Sequence, residues 1–125
     1  VHQVCNRLHV PNTHRKTATA TAKEHLNIHR FDDLRAVKKV RLLVRLGVIQ
    51  NNLLARRVVL AAKADARGRG PTFKDAAYPQ GDDLLRAATI MRTVRGHEFA
   101  HLQDGPKIAQ RIEVARTKAL RDAGF

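Results

Sequence analysis

His97, Glu98 and His101 stand in the order His-Glu-Phe-Ala-His, which is the HExxH spacing of zinc hydrolases. On an α-helix, two histidines four apart project from one side and bind a single Zn²⁺, while the glutamate between them polarises the attacking water. That chemistry needs a continuous helix through the motif and a third protein ligand. The flanking residues favour neither. Gly96 precedes the motif and costs a helix interior roughly 1 kcal/mol relative to alanine; Asp104-Gly105-Pro106 ends it, no histidine follows, and the only downstream glutamate is Glu113. The stretch therefore reads as a helix terminus, a connector and the cap of the next helix. A zinc hydrolase using His97, Glu98 and His101 is kept as a minor alternative.

Two looser sets of metal-type residues receive the same reading. His25 and His29 are four apart, and Cys5, His9 and His14 are scattered near the start; neither has the paired spacing of a compact zinc module. No metal site and no cofactor is expected. Gly68-Arg69-Gly70 lacks the spacing of a phosphate-binding loop that follows a strand and opens a helix. A lone Cys5 forms no internal disulfide and has no neighbours that would make it a nucleophile.

The elements that position these residues are helices. The opening fifteen or so residues, broken by Pro11, are expected to form an extended basic arm over 1–16, followed by one helical domain over 17–125. Residues 17–29 form the weakest expected helix, because the threonine-rich start has mediocre propensity. The next helix is capped by Asp32 or Asp33, with Leu34, Val37, Val40, Val44 and Val48 on its buried face. Asn51 or Asn52 caps a helix ending near Gly68, in which Leu54, Val58, Ala61 and Ala62 face inward. A long Gly/Pro-containing loop spans about 68–81. A helix from Asp82 or Asp83 buries Leu84, Ala88 and Met91, and a last helix is capped by Asp104, with Pro106 in its first turn and Ile108, Ile112, Ala115 and Ala119 inward. The fold class is all-α, a small bundle of about four to five helices.

Charge carries the functional expectation. The 125 residues hold 24 Lys and Arg against 11 Asp and Glu, a formal net charge of +13, which answers a polyanion. Four Phe, one Tyr and no Trp argue against gripping single strands by base stacking. No apolar run reaches the length of a membrane-spanning helix, since Arg41 and Arg45 interrupt the best one, so no membrane insertion is expected. The chain begins at Val1 rather than Met, which suits a processed or incompletely read product and tilts the expected location toward a mitochondrion.

Cationic residues occur on every segment. Those expected to meet nucleic acid are Arg7, Arg15 and Lys16 on the arm, Arg35, Lys38, Lys39 and Arg45 on the second helix, Arg56, Lys63 and Arg67 on the third, Arg69 and Lys74 on the loop, and Arg92 and Arg95 beyond it. Such a distribution neutralises phosphates without reading bases. The layout resembles that of small ribosomal proteins, which implies a non-catalytic subunit of a ribonucleoprotein. It would brace ribosomal RNA beside neighbouring proteins, in a mitochondrial matrix ribosome, with no small-molecule substrate. A DNA-binding nucleoid-type protein and an accessory subunit of a large assembly such as a respiratory complex are the alternatives.

Overall fold

The computed structural model describes every residue from Val1 to Phe125. The chain is all-helical, a small bundle with more helices than expected. Its α-helices are α1 (His2–Arg7), α2 (Asn12–His29), α3 (Ala36–Leu46), α4 (Asn52–Arg67), α5 (Pro79–Arg92) and α6 (Gly105–Asp122), joined by short 3₁₀ segments at Phe31–Asp33, Pro71–Phe73 and Gly96–Leu102. No helix is long and apolar enough to cross a membrane.

The first difference from the sequence reading lies at the N-terminus, where residues 1–16 are mostly helical rather than extended. Proline restricts the residue before it, not the helix after it. Pro11, at φ −56° and ψ 145°, stands at the N-cap of α2, which therefore begins at Asn12 and not at Thr17. Cys5 is the buried residue of α1, and Arg15 Nη1 donates to Asn6 Oδ1 at 2.7 Å across the turn between the two helices.

The second difference is the start and the rotation of α3. Asp32 and Asp33 lie in a 3₁₀ turn pinned by the fully buried Phe31, and Leu34 and Arg35 are extended before the helix begins at Ala36. The buried side comprises Ala36, Lys39, Val40, Leu42, Leu43 and Leu46, while Val44 is 50% exposed. The apolar residues of this helix form a broad arc opposite Lys38, Arg41 and Arg45, and an arc this wide admits more than one inward face from periodicity alone. Gly47, at φ +70°, ends the helix in the left-handed conformation that a side chain would disfavour.

The remaining helices begin close to their sequence signals, with one exception. Asn51 accepts from the Leu54 amide at 3.0 Å and Asp104 from the Lys107 amide at 3.3 Å, so both are working N-caps. The exception is α5, which starts at Pro79 and takes in Gly81, a residue that reads as loop in the sequence. A Cβ on Gly81 would meet Val59 Cγ1 at 2.7 Å and Tyr78 Cδ2 at 2.8 Å. Its glycine is thus a packing requirement between α5 and α4.

One cluster of 20 buried residues forms the core. α2 packs along α4, α3 lies on α6, and α5 bridges α4 and α6. The first two run in the same direction, since His29 reaches Asp65 at their C-terminal ends while Asn12, Thr13, Leu53 and Arg57 line one cavity at their N-terminal ends. Leu84, Ala88, Met91 and Leu120 are fully buried and close the centre from α5 and α6.

Candidate nucleic-acid interface

The fourteen cations singled out in the sequence divide into those bound to the protein itself and those left outward. Lys39 is 5% exposed, its Nζ lying 5.4 Å from the Phe31 ring centre and 5.3 Å from that of Phe125. Such a cation–π seat lets its alkyl stem fill the core, and it turns the charge away from solvent. Arg92 ties the corner between α3 and α4: its Nε donates to the Ile49 carbonyl at 2.5 Å and its Nη2 to that of Val48 at 3.4 Å. Arg67 Nε donates to the Ala76 carbonyl at 3.0 Å, holding the long loop against α4, and Arg69 stands 3.7 Å from the Asp65 carboxylate. Arg7, Lys16, Arg35, Lys38, Arg56, Lys74 and Arg95 are exposed, and Lys63 is half-buried.

The structure brings three of the fourteen to one place. Arg15, Lys16 and Arg45 line a cleft of about 460 Å³ between α2 and the α3–α4 corner, together with Lys23, which sequence reasoning missed. Lys16 and Lys23 are seven apart, two helical turns, and so share a face of α2. That signal was available once the helix was known to begin before Lys16. Arg57, also missed, lines a smaller adjoining cavity with Lys16 and Asn51. The one carboxylate in the cleft is Glu24, 7% exposed, which receives Arg45 Nε at 2.8 Å and Nη2 at 3.3 Å and Asn27 Nδ2 at 2.8 Å. The Arg45 guanidinium holds this carboxyl below its ordinary range despite its burial. Glu24 is thereby committed to Arg45, and Arg15, Lys16 and Lys23 remain without a carboxylate partner.

The histidines have other roles. Residues 96–102 are a 3₁₀ helix, in which residues four apart point about 120° away from each other, and both His97 and His101 are exposed. The HExxH spacing therefore does not converge. Gly96–Leu102 is the connector, Gln103 turns the chain at φ +52°, and Asp104 caps α6. His29 joins three elements: its Nδ1 lies 2.8 Å from Tyr78 Oη, its Nε2 lies 2.9 Å from Asp65 Oδ2, and its carbonyl accepts from Gln80 Nε2 at 3.2 Å. Burial pushes the Tyr78 phenol up to about 12, and the His29 contact lowers the Asp65 carboxyl. His25 stands edge-on to His29 at 6.0 Å between ring centres. No three His, Cys, Asp or Glu side chains gather in a way that could hold a metal ion.

No family model matches the chain, and no solved structure does. Among curated proteins it is 38% identical over 123 residues to the Multifunctional CCA protein of Stenotrophomonas maltophilia, covering 97% of this chain and 30% of that protein. It is 39% identical over 127 residues to the protein of the same name from Ralstonia nicotianae, covering 100% of this chain and 29% of the relative. A third, from an Acidovorax species, is 39% identical over 124 residues, covering 95% and 29%. The chain thus spans about three tenths of the length of these relatives. Relatives of this name, from bacteria, overturn the reading of a non-catalytic ribosomal protein and, with it, the expectation of a non-enzyme and of a mitochondrial ribosome. The physical reason is that positive charge spread over helices suits any grip on phosphates, so composition does not separate a ribosomal subunit from part of a multifunctional CCA protein.

Proposed function

We propose that this chain is the RNA-gripping helical part of a protein that adds the CCA sequence to transfer RNA, a tRNA nucleotidyltransferase. The observation that carries the reading is the match to Multifunctional CCA proteins across nearly the whole chain. A net charge of +13 on a helical bundle supplies the matching chemistry, since structured RNA is held chiefly through its phosphates, 2′-hydroxyls and shape. The outward cations Arg7, Lys16, Arg35, Lys38, Arg56, Lys74 and Arg95 are assigned to phosphate contact. Those that seat on aromatic rings or carbonyls, Lys39 and Arg92, are assigned to the fold.

The test is binding of fluorescently labelled tRNA to the chain over a salt series, with duplex DNA as competitor. Tighter binding to tRNA at matched salt, with log K falling as log salt rises, is the expected result. Equal or tighter binding to the duplex, or affinity insensitive to salt, would defeat the reading. In a full-length relative, replacing the equivalents of the outward cations is expected to raise KM for tRNA with kcat nearly unchanged, the pattern of lost uniform binding.

A further inference from the structure

We infer that the cleft between α2 and the α3–α4 corner is a discrete phosphate-binding site rather than one part of a uniformly basic surface. Four cations, Arg15, Lys16, Lys23 and Arg45, meet one carboxylate in a single cavity, and that carboxylate, Glu24, is already engaged by Arg45 at 2.8 Å. Arg15 is the best-placed anchor. Its Nη1 is held by a neutral partner, Asn6 Oδ1, at 2.7 Å, which orients the guanidinium without neutralising it, and its Nε is buried with no hydrogen-bond partner. Thr19, one turn further along α2, lines the same cavity, and its Oγ1 is a second buried atom without a hydrogen-bond partner. A guanidinium, a threonine hydroxyl and two ammonium groups lining one cavity make a donor set suited to a tetrahedral anion with several acceptor oxygens.

Charge crowding points the same way. Like charges on one cavity wall repel, and a phosphate between them converts that repulsion into attraction. The Arg45–Glu24 pair fixes one wall by joining α3 to α2, and the Arg15–Asn6 bond fixes the other by joining α2 to α1, so the donors are held before an anion arrives. The ligand chemistry is a phosphate group, supplied either by an RNA backbone or by a free phosphate. The choice of an RNA phosphodiester rests on the proposed RNA-gripping function.

The site is tested with two double variants of equal charge change. Lys16→Gln with Lys23→Gln empties the cleft of two cations that make no ion pair, so folding is retained, which circular dichroism checks. Lys74→Gln with Arg95→Gln removes two exposed cations elsewhere. Binding of a labelled RNA hairpin is followed from low to high salt. The cleft variant is expected to lose about ten- to thirty-fold in affinity near 0.1 M salt and to lower the salt slope by roughly 1.5, the value of about two phosphate contacts. The remote variant is expected to lose several-fold less. Equal losses in both would overturn the discrete site while leaving the RNA-binding function standing, whereas absence of RNA binding by the unaltered chain would overturn both. Inorganic phosphate, titrated into ¹⁵N-labelled chain, separates the sources. Saturable amide shifts confined to the residues around Arg15, Thr19 and Lys23 show a site for free phosphate; shifts there with the RNA hairpin alone show a backbone site; shifts elsewhere with both probes overturn the proposal.

Discussion

Glu24 illustrates how one residue sets local stability with a definite sign in pH. Its carboxylate is 7% exposed and receives Arg45 and Asn27, and the Arg45 contact lowers its pKa below the ordinary 4.5. A depressed carboxylate contributes stability that is present above its unfolded pKa and disappears as pH falls through the folded value. Arg45→Ala leaves this carboxylate buried with Asn27 alone, and because Arg45 is itself 47% exposed the cost is set at about 1–3 kcal/mol at neutral pH, short of a fully buried pair. Urea melts check the magnitude. Repeating them at about pH 3, where the unfolded carboxyl is protonated, should shrink the difference between the variant and the unaltered chain. A difference that stays constant with pH would show that Arg45 acts through packing. In the sequence Glu24 was one acid among many; the partner that matters is 21 residues away.

At the scale of elements, the caps were legible and the helix faces were not always. Asn51 and Asp104 announce the starts of α4 and α6 because a short polar side chain ahead of an apolar run accepts a backbone amide whatever the tertiary context. The inward side of α3 depends instead on which neighbour it meets, α6 in this fold. That choice buried Lys39 and exposed Val44. Gly81 carries a similar lesson, since a glycine near a proline reads as loop until its contact with Val59 and Tyr78 is seen. Gly81→Ala is expected to destabilise the fold by about 1–3 kcal/mol through overpacking. Thermal unfolding measures this, and an unchanged or raised Tm would mean that α4 and α5 separate without cost.

For the whole molecule, closure depends on the last helix. Leu120 is fully buried within the main core cluster, and the C-terminal Phe125 meets Phe31 edge-on at 6.4 Å between ring centres. The Arg86 guanidinium lies 4.3 Å from the centre of the same Phe125 ring. Leu120→Ala therefore removes core volume where α6 packs against α3 and α5, at an expected cost of about 2–5 kcal/mol. Denaturant unfolding followed by circular dichroism and by the Tyr78 signal should show one shared transition at lower denaturant. Two separate transitions would mean that α6 is a unit of its own. Cations seated within the fold, among them Lys39, Arg45, Arg67, Arg86 and Arg92, are a minority of the 24 Lys and Arg, so most of the positive charge lies outside this core.

By itself the sequence determined that the chain is helical, that its charge suits a polyanion, and that Gly96 and Asp104-Gly105-Pro106 break the HExxH stretch, because propensity, net charge and helix termination act over a few residues. Tertiary structure alone decided which cations stay outward and which meet in the cleft. Arg15, Lys16 and Lys23 are grouped by their places along α2, but Arg45 and the opposing wall join them only when α3 folds back beside that helix. Proximity across helices is a property of packing, and no local spacing encodes it.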